Sequence, residues 1–314
     1  MEPVKQIDIT RGIKVSELVH RMELSGVFGA GRIAKAAAIF EKMVKDKECI
    51  VFLGVAGAMV PGGMKNIIVD MLENNFIDVF VTTGANLTHD VVEALGFSHF
   101  KGTPNVDDAE LHKKNIDRIY ESYMPNEVYE KMEDFFKDIY DELSKERSIK
   151  QLLWKLGEKL DKINKKGNKS LLVTCWKKKI PIFCPALSDS GIGLMMWGNI
   201  AKGKQCETRA FDDLKEMLNL AWDAKKAGVI YIGGGVPKNY IQQAMQFSKG
   251  ASYGIQITTD RPEPGGSSGA ELREGISWGK MKEEGEFVEV ICDATIALPL
   301  VYGAVKDAVK EKMG

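Results

Sequence analysis

Cysteine is scarce in this chain of 314 residues. There are five, an odd number, and no two stand in a CxxC pair: Cys49, Cys175, Cys184, Cys206 and Cys292. That argues against a disulfide framework or a cysteine-held zinc site and fits a reducing, cytoplasmic setting. An excess of charge is also missing. Forty-three Lys and Arg stand against 44 Asp and Glu, a formal net charge of −1, which speaks against nucleic-acid binding driven by bulk charge. No apolar run approaches the ~18 residues needed to cross a bilayer. The first residues, Met1 to Arg11, are charged and lack the apolar core of a secretory signal. Internal repeats and low-complexity tracts are absent too.

What the chain does have is an ordinary globular composition, 44% hydrophobic and 28% charged, with length enough for a large core. Short apolar runs read as buried strands at Cys49–Leu53, Ile77–Thr82, Ile180–Cys184, Val229–Ile232, Tyr253–Thr258 and Val288–Cys292. Helix-compatible segments separate them: Met64–Asn74, Leu87–Leu95, Leu214–Lys226, Tyr240–Ser248 and Thr295–Met313. Ser170–Trp176 reads as a short helix, since the next strand starts four residues later. From Asp107 to Lys169 the sequence is highly charged and helical, without a strand signal. The expectation is a Rossmann-like α/β fold: a mostly parallel sheet, helices on both faces, and an inserted helical segment at about 107–169. Residues 1–314 are expected to form a single domain.

Two glycine patterns compete as dinucleotide loops. Gly29-Ala30-Gly31-Arg32-Ile33-Ala34 is a formal GxGxxA, but Val15–Val27 does not read as the strand that must precede one. It is expected to be a helix-entry turn. Gly233-Gly234-Gly235 follows the strand Val229–Ile232 and precedes a helix, the arrangement that lets backbone approach a ligand closely. Other strands also end in small or polar residues: Gly54 and Gly57, Thr82 to Asn86, Pro185 to Gly191, and Asp293 to Thr295. Parallel sheets bind ligands at that edge. A carboxylate there can bond a ribose hydroxyl or cap a helix, and both readings are open for Asp189 and Asp293.

Ser277-Trp278-Gly279-Lys280, with Glu274 upstream, sets a lysine beside a large aromatic after a turn rich in glycine and proline. A lysine is a nucleophile only when neutral, and a nearby carboxylate and ring can hold a cationic substrate. A surface lysine next to a packing tryptophan is the alternative.

Taken in order, Phe52 to Gly54 (FLG), Val81 to Asn86 (VTTGAN), Pro181 to Gly193 (PIFCPALSDSGIG), Gly233 to Lys238 (GGGVPK), Ser277 to Lys280 (SWGK) and Asp293-Ala294 resemble the deoxyhypusine synthase family over most of the chain. The resemblance implies a Rossmann-like sheet, a homotetramer and NAD as cofactor. It also implies oxidation of spermidine, capture of the aminobutyl fragment as an imine on a lysine, and transfer to a lysine of a translation factor. Lys280 matches the imine-forming lysine, and Trp278 and Glu274 match positions lining the polyamine site. Thr83, Asp189, Gly233, Gly234, Thr259, Ser268, Asp293 and Ala294 match positions that contact NAD. No metal is implied.

Several residues depart from the family pattern. Asn239, followed by Tyr240, stands where a catalytic histidine is expected, and both join the candidate substrate site. Leu194 and Ser267 replace aspartates that bind amines, His89 replaces a glutamate, and Ala58 an asparagine. A buried ammonium without a partner would cost several kcal/mol, so the amine is expected to differ from spermidine as the family binds it. A homospermidine synthase-like activity, the standard modification of the translation factor, and an inactive NAD-binding paralog are the alternatives. Tyr240 and His89 are candidates for a replacement base.

Overall fold

The computed structural model describes residues 1–309. The fold is α/β. Among the described residues nine strands occur in chain order: β1 Cys49–Val55, β2 Val79–Thr82, β3 Phe100–Lys101, β4 Ile116–Ile119, β5 Ser122–Pro125, β6 Ile182–Phe183, β7 Lys226–Ile232, β8 Ala251–Thr258 and β9 Met281–Ile291. Six build a parallel sheet flanked by helices, in the order β6-β2-β1-β7-β8-β9. The other three form a small sheet, β3-β5-β4.

The chain divides into two compact units. The first comprises Met1–Gly57, Glu73–Val81 and Leu214–Gly314, described here to residue 309. Its strands β1, β7, β8 and β9 are parallel neighbours, with Val55 opposite Ile232, Ile232 opposite Ile257, and Thr258 opposite Ile291. This register brings four strand ends to one edge. The strands read as near-continuous apolar runs because both faces are covered. Side chains alternate in β1. An added Cβ at Gly54 would meet Ile241 and Pro237 of the helix Gly235–Gln246. Cys49, on the opposite face of β1, lies with Met43 of the helix Phe28–Lys45 around Gly228.

The GxGxxA pattern lies inside that Phe28–Lys45 helix, and the helix Val15–Ser25, not a strand, precedes it. Gly31 is needed for packing: a Cβ there would sit 2.6 Å from the backbone carbonyl of Gly26. The C-terminal helix runs Ala294–Ala308. The part of the expected helix beyond residue 309 lies outside the described residues.

The second unit comprises Ala58–Leu72 and Thr82–Asp213. Its charged stretch is not wholly helical. β4 and β5 form an antiparallel hairpin within it, Ile116 opposite Pro125 and Ile119 opposite Ser122. The sequence hid them because each has only four residues, too few for a clear alternation. The helices Glu127–Leu143 and Ile149–Asp161 follow, and Leu171–Lys178 is the expected short helix. Among the described residues no helix is long and apolar enough to cross a membrane.

Asp90 is the polar keystone of this unit. It is fully buried and accepts hydrogen bonds from Ser170 Oγ, Leu171 N and Leu172 N at 2.7, 2.9 and 3.0 Å. It thereby satisfies first-turn N–H groups that the helix Leu171–Lys178 cannot satisfy itself. Asp90→Ala would strand three buried donors. It should lower the unfolding free energy by about 2–4 kcal/mol in urea denaturation, and a loss below about 1 kcal/mol would contradict this role.

Candidate functional site

In the first unit the carboxyl ends of β7, β8 and β9 carry Gly233, Thr258-Thr259 and Cys292-Asp293. Gly233 and Gly235 adopt φ values of +72° and +59°, a left-handed backbone that glycine enters without strain. A Cβ on Gly234 would fall 2.3 Å from Ser268 Cα, so the turn lies directly against the loop following β8. The helix Gly235–Gln246 starts at Gly234 without a side-chain cap. Its first N–H groups are thus open to an anion. Gly233, Gly234, Thr259, Ser268, Asp293 and Ala294 all fall at this edge or in the loop against it.

The two aspartates behave differently. Asp293 caps the C-terminal helix, accepting from Thr295 N at 2.7 Å and Thr295 Oγ1 at 2.5 Å, yet stays exposed. Asp189, in the second unit, is also exposed but is not the cap of the helix that follows. Ser190 takes that role, accepting from Gly193 N at 3.1 Å. Thr83 caps the helix Gly84–Ala94, accepting from Asn86 N.

Lys280 sits elsewhere on the first unit. Its carbonyl accepts from Ala251 N, which places it at the amino end of β9, across the strand from Asp293. A 3₁₀ segment of seven residues, Leu272–Trp278, and a left-handed Gly279 (φ +70°) deliver it there. Its Nζ lies 4.8 Å from the centroid of Trp278, which is 56% exposed. Lys280 is half-buried and Glu274 is exposed.

Between the two ends lies a polar group that sequence reading passed over. Lys238, in the first turn of the Gly235–Gln246 helix, is only 1% exposed. Its Nζ donates to Gln256 Oε1 at 2.8 Å and to the Ala270 carbonyl at 2.6 Å. Gln256, fully buried on β8, in turn donates to the Ser268 carbonyl at 2.6 Å. Glu289, opposite Gln256 on β9, accepts from Leu272 N at 2.7 Å. These bonds pin the loop 259–271 along the sheet. Burial pushes the Lys238 pKa down to about 8; Glu274 and Glu289 oppose the shift, and Lys280 reinforces it. Lys238 therefore shares one electrostatic neighbourhood with Glu274 and Lys280. One signal could have found it: a cation in a helix's first turn faces the positive end of the helix dipole. Asn239 and Tyr240 follow on the same helix and are half-buried.

The second unit holds a buried chain of charged groups. Lys65 pairs with Glu93, Glu93 Oε1 lies 2.9 Å from His99 Nδ1, and His99 Nε2 lies 2.9 Å from His89 Nδ1. Lys65 and His89 are 6% and 9% exposed. Burial works against the Glu93 carboxylate, but hydrogen bonds from His99 and Lys65 outweigh it and hold its pKa below the ordinary value. Burial lowers the His89 pKa to about 4, aided by His99 and opposed by Glu93. Leu194, where an aspartate was expected, is 58% exposed, and Ser267, in the first unit, is also exposed. Among the described residues no three ligating side chains gather to hold a metal ion.

Known proteins agree with this architecture. The sequence model of a family described as deoxyhypusine synthase matches residues 17–305. "Probable deoxyhypusine synthase 1" of Methanosarcina acetivorans is 44% identical over 313 residues, 99% of this chain and 96% of that protein. The protein of the same name from Archaeoglobus fulgidus is 42% identical over 300 residues, 96% of each. Among solved structures, a protein proposed to be a deoxyhypusine synthase from Entamoeba histolytica superimposes with a TM-score of 0.67 at 22% identity, covering 98% of both chains. The AgrE complex with ornithine and NAD+ gives 0.53 at 10% identity, over 88% of this chain and 34% of that one. At these identities the structures speak for the fold alone.

The Lys238 ammonium has a measurable consequence. Its folded pKa, about 8, lies below the ordinary 10.5. Between those values the unfolded chain binds more protons, so stability rises with pH. The stability of the wild type minus that of Lys238→Met should climb from about pH 8 to 10.5 in denaturant titrations. A flat difference would show that Lys238 titrates as a solvated lysine.

Proposed function

The chain belongs to the deoxyhypusine synthase family, and we propose that it is an NAD-dependent aminoalkyl transferase in which Lys280 carries the transferred fragment as an imine. The observation that carries this reading is the placement of Lys280: half-buried, over an exposed Trp278, in the field of Glu274 and the buried Lys238. An aromatic face and a carboxylate suit a cationic amine.

The residues present fit a dinucleotide. The uncapped N-terminus of the Gly235–Gln246 helix offers N–H groups for a pyrophosphate, with glycines that admit close backbone approach. Exposed Asp293 is suited to a ribose hydroxyl, and Asp189 enters the proposed set through the resemblance. Thr83, Thr259, Ser268 and Ala294 complete the set proposed for NAD. Bound NAD would supply the hydride acceptor for amine oxidation. Lys280 Nζ, as a neutral amine, then adds to the electrophilic carbon. The original amine leaves with its proton, and a C=N bond to Lys280 remains. Transfer to an acceptor amine repeats the exchange and frees Lys280, and return of the hydride from the reduced cofactor would convert the acceptor's imine to an amine and restore NAD.

The amine is the part that differs from the family pattern. Leu194 and Ser267 stand where carboxylates were expected, and Asn239 has no useful basicity. Loss of one ion-pair partner at a desolvated site costs ~2–5 kcal/mol, roughly 30-fold to several-thousandfold in affinity. The substrate is therefore read as a shorter diamine or an amine with a less polar end. The relatives' names favour a second reading, in which spermidine and a translation-factor lysine are the substrates. A homotetramer and a cytoplasmic setting go with either.

Comparing kcat/KM for spermidine, putrescine and agmatine with NAD separates them. Our reading expects spermidine to be at least ~30-fold poorer than the best of the others, with no transfer by Lys280→Ala. Efficient spermidine cleavage with transfer to the translation factor would establish the second reading instead. Full turnover by Lys280→Ala would remove both.

A further inference from the structure

Gln256 is fully buried on β8, between Ile255 and Ile257, where an amide is costly unless its polar atoms are paired. It stands opposite Tyr231 on β7 and Glu289 on β9. Tyr231 in turn stands opposite Gly54, so the row lies on the sheet face covered by the helix Gly235–Gln246. Two neighbours fix the direction of the amide. The Ser268 carbonyl can only accept, so it requires the Nε2–H donor, which lies 2.6 Å away. Oε1 is then turned to Lys238 Nζ at 2.8 Å. This assignment does not depend on the charge of Lys238. Its amine meets two acceptors, Gln256 Oε1 and the Ala270 carbonyl, and even an uncharged amine has two N–H groups to give them.

The segment after β8 is tied down at three places. Gln256 holds Ser268, Lys238 holds Ala270, and Glu289 holds Leu272 N at 2.7 Å. The last two ties serve the 3₁₀ segment that leads to Lys280. The first serves the triple glycine. Ser268 Cα and Cβ occupy the space that a side chain on Gly234 would take, so the turn and Ser268 form one surface. That surface borders the uncapped start of the helix Gly235–Gln246. The loop also closes on itself. A Cβ on Gly269 would strike the carbonyl of Arg261, and Gly269 N and Ala270 N both donate to the Gly266 carbonyl at 3.2 Å. Moving Ser268 therefore moves a compact piece, 261–270, rather than one side chain.

We propose that Gln256 is a positioning residue for the cofactor: its amide holds Ser268 against the triple-glycine turn and so sets the wall of the site at which a dinucleotide would bind. Lys238 orients the amide from the other side. The inference rests on the NAD reading above for the identity of the ligand. It assigns Gln256 no contact with that ligand, since the side chain is fully buried. Its influence is selective. Ala270 and Leu272 are held separately, so losing the Gln256 amide loosens the cofactor wall and leaves the Lys280 turn in place.

Two variants separate this role from ordinary core packing. Gln256→Glu keeps an oxygen for Lys238 and forms an ion pair with it, but sets its second oxygen against the Ser268 carbonyl. Gln256→Met adds no charge and fills a similar volume, but leaves both Lys238 and Ser268 without the amide. In urea denaturation Gln256→Glu should be the more stable of the two. Calorimetric titration should nonetheless show both binding NAD about tenfold more weakly than the wild type. Hydrogen exchange read by mass spectrometry, without ligand, should quicken about tenfold or more over 266–270 in both variants and stay as in the wild type over 274–280. NAD affinity that follows stability, with Gln256→Glu binding as the wild type does, would show a packing role only and overturn the inference while the NAD reading stands. Unchanged exchange over 266–270 would overturn it too. If Gln256→Met does not fold, the Gln256→Glu result decides alone. If the wild type binds no NAD, the NAD reading fails and this role falls with it, whatever the exchange shows.

Discussion

The first unit turns on one buried lysine. Lys238 brings an ammonium into the core, and two carbonyl oxygens, one from Gln256 and one from Ala270, must meet it there. A buried cation left unmatched would cost several kcal/mol. The segment between β8 and β9 is consequently held along the sheet. Gln256 extends the constraint to Ser268, and Glu289 extends it to Leu272. The same segment ends in the 3₁₀ turn that presents Trp278 and Lys280. The position of the proposed nucleophile thus depends on a hydrogen-bond network that begins at the helix behind the triple glycine.

That network also joins the two ends of the strands. The carboxyl edge carries Gly233 and Asp293, while Lys280 enters at the amino end of β9. Between them runs a polar strip, Lys238, Gln256 and Glu289, on a sheet whose covered positions are mostly apolar. Such a strip is costly to bury and needs every partner in place. It is therefore rigid, and rigidity is what a transfer site asks of the groups that hold it.

Much of this was legible in the sequence, and the limits have physical causes. The parallel strands could be read because burial on both faces leaves them uniformly apolar, as in Val229–Ile232. The decoy at Gly29–Ala34 could be set aside because no strand precedes it. The short hairpin 116–125 could not be read, since four-residue strands carry too little periodicity. Sheet chemistry pointed to Gly233, Asp189 and Asp293, but capping was resolved only by geometry: Asp293 caps its helix, whereas Ser190 relieves Asp189 of that duty. Lys238 was visible as the end of GGGVPK, yet its burial depends on Gln256 and Ala270, far along the chain. The pairing of His89 with His99 has no signature in their ten-residue separation, because it depends on how the chain returns after the helix Gly84–Ala94.

The central claim is that Lys280, and not its buried neighbour, bears the transferred fragment. Borohydride reduction in the presence of NAD and an amine substrate, followed by peptide mass mapping, addresses it directly. The account predicts one aminoalkyl adduct, on Lys280, dependent on NAD and absent from Lys280→Ala. An adduct on Lys238, whose amine burial lowers to a pKa of about 8, would contradict the account, as would a substrate-competent enzyme that traps nothing.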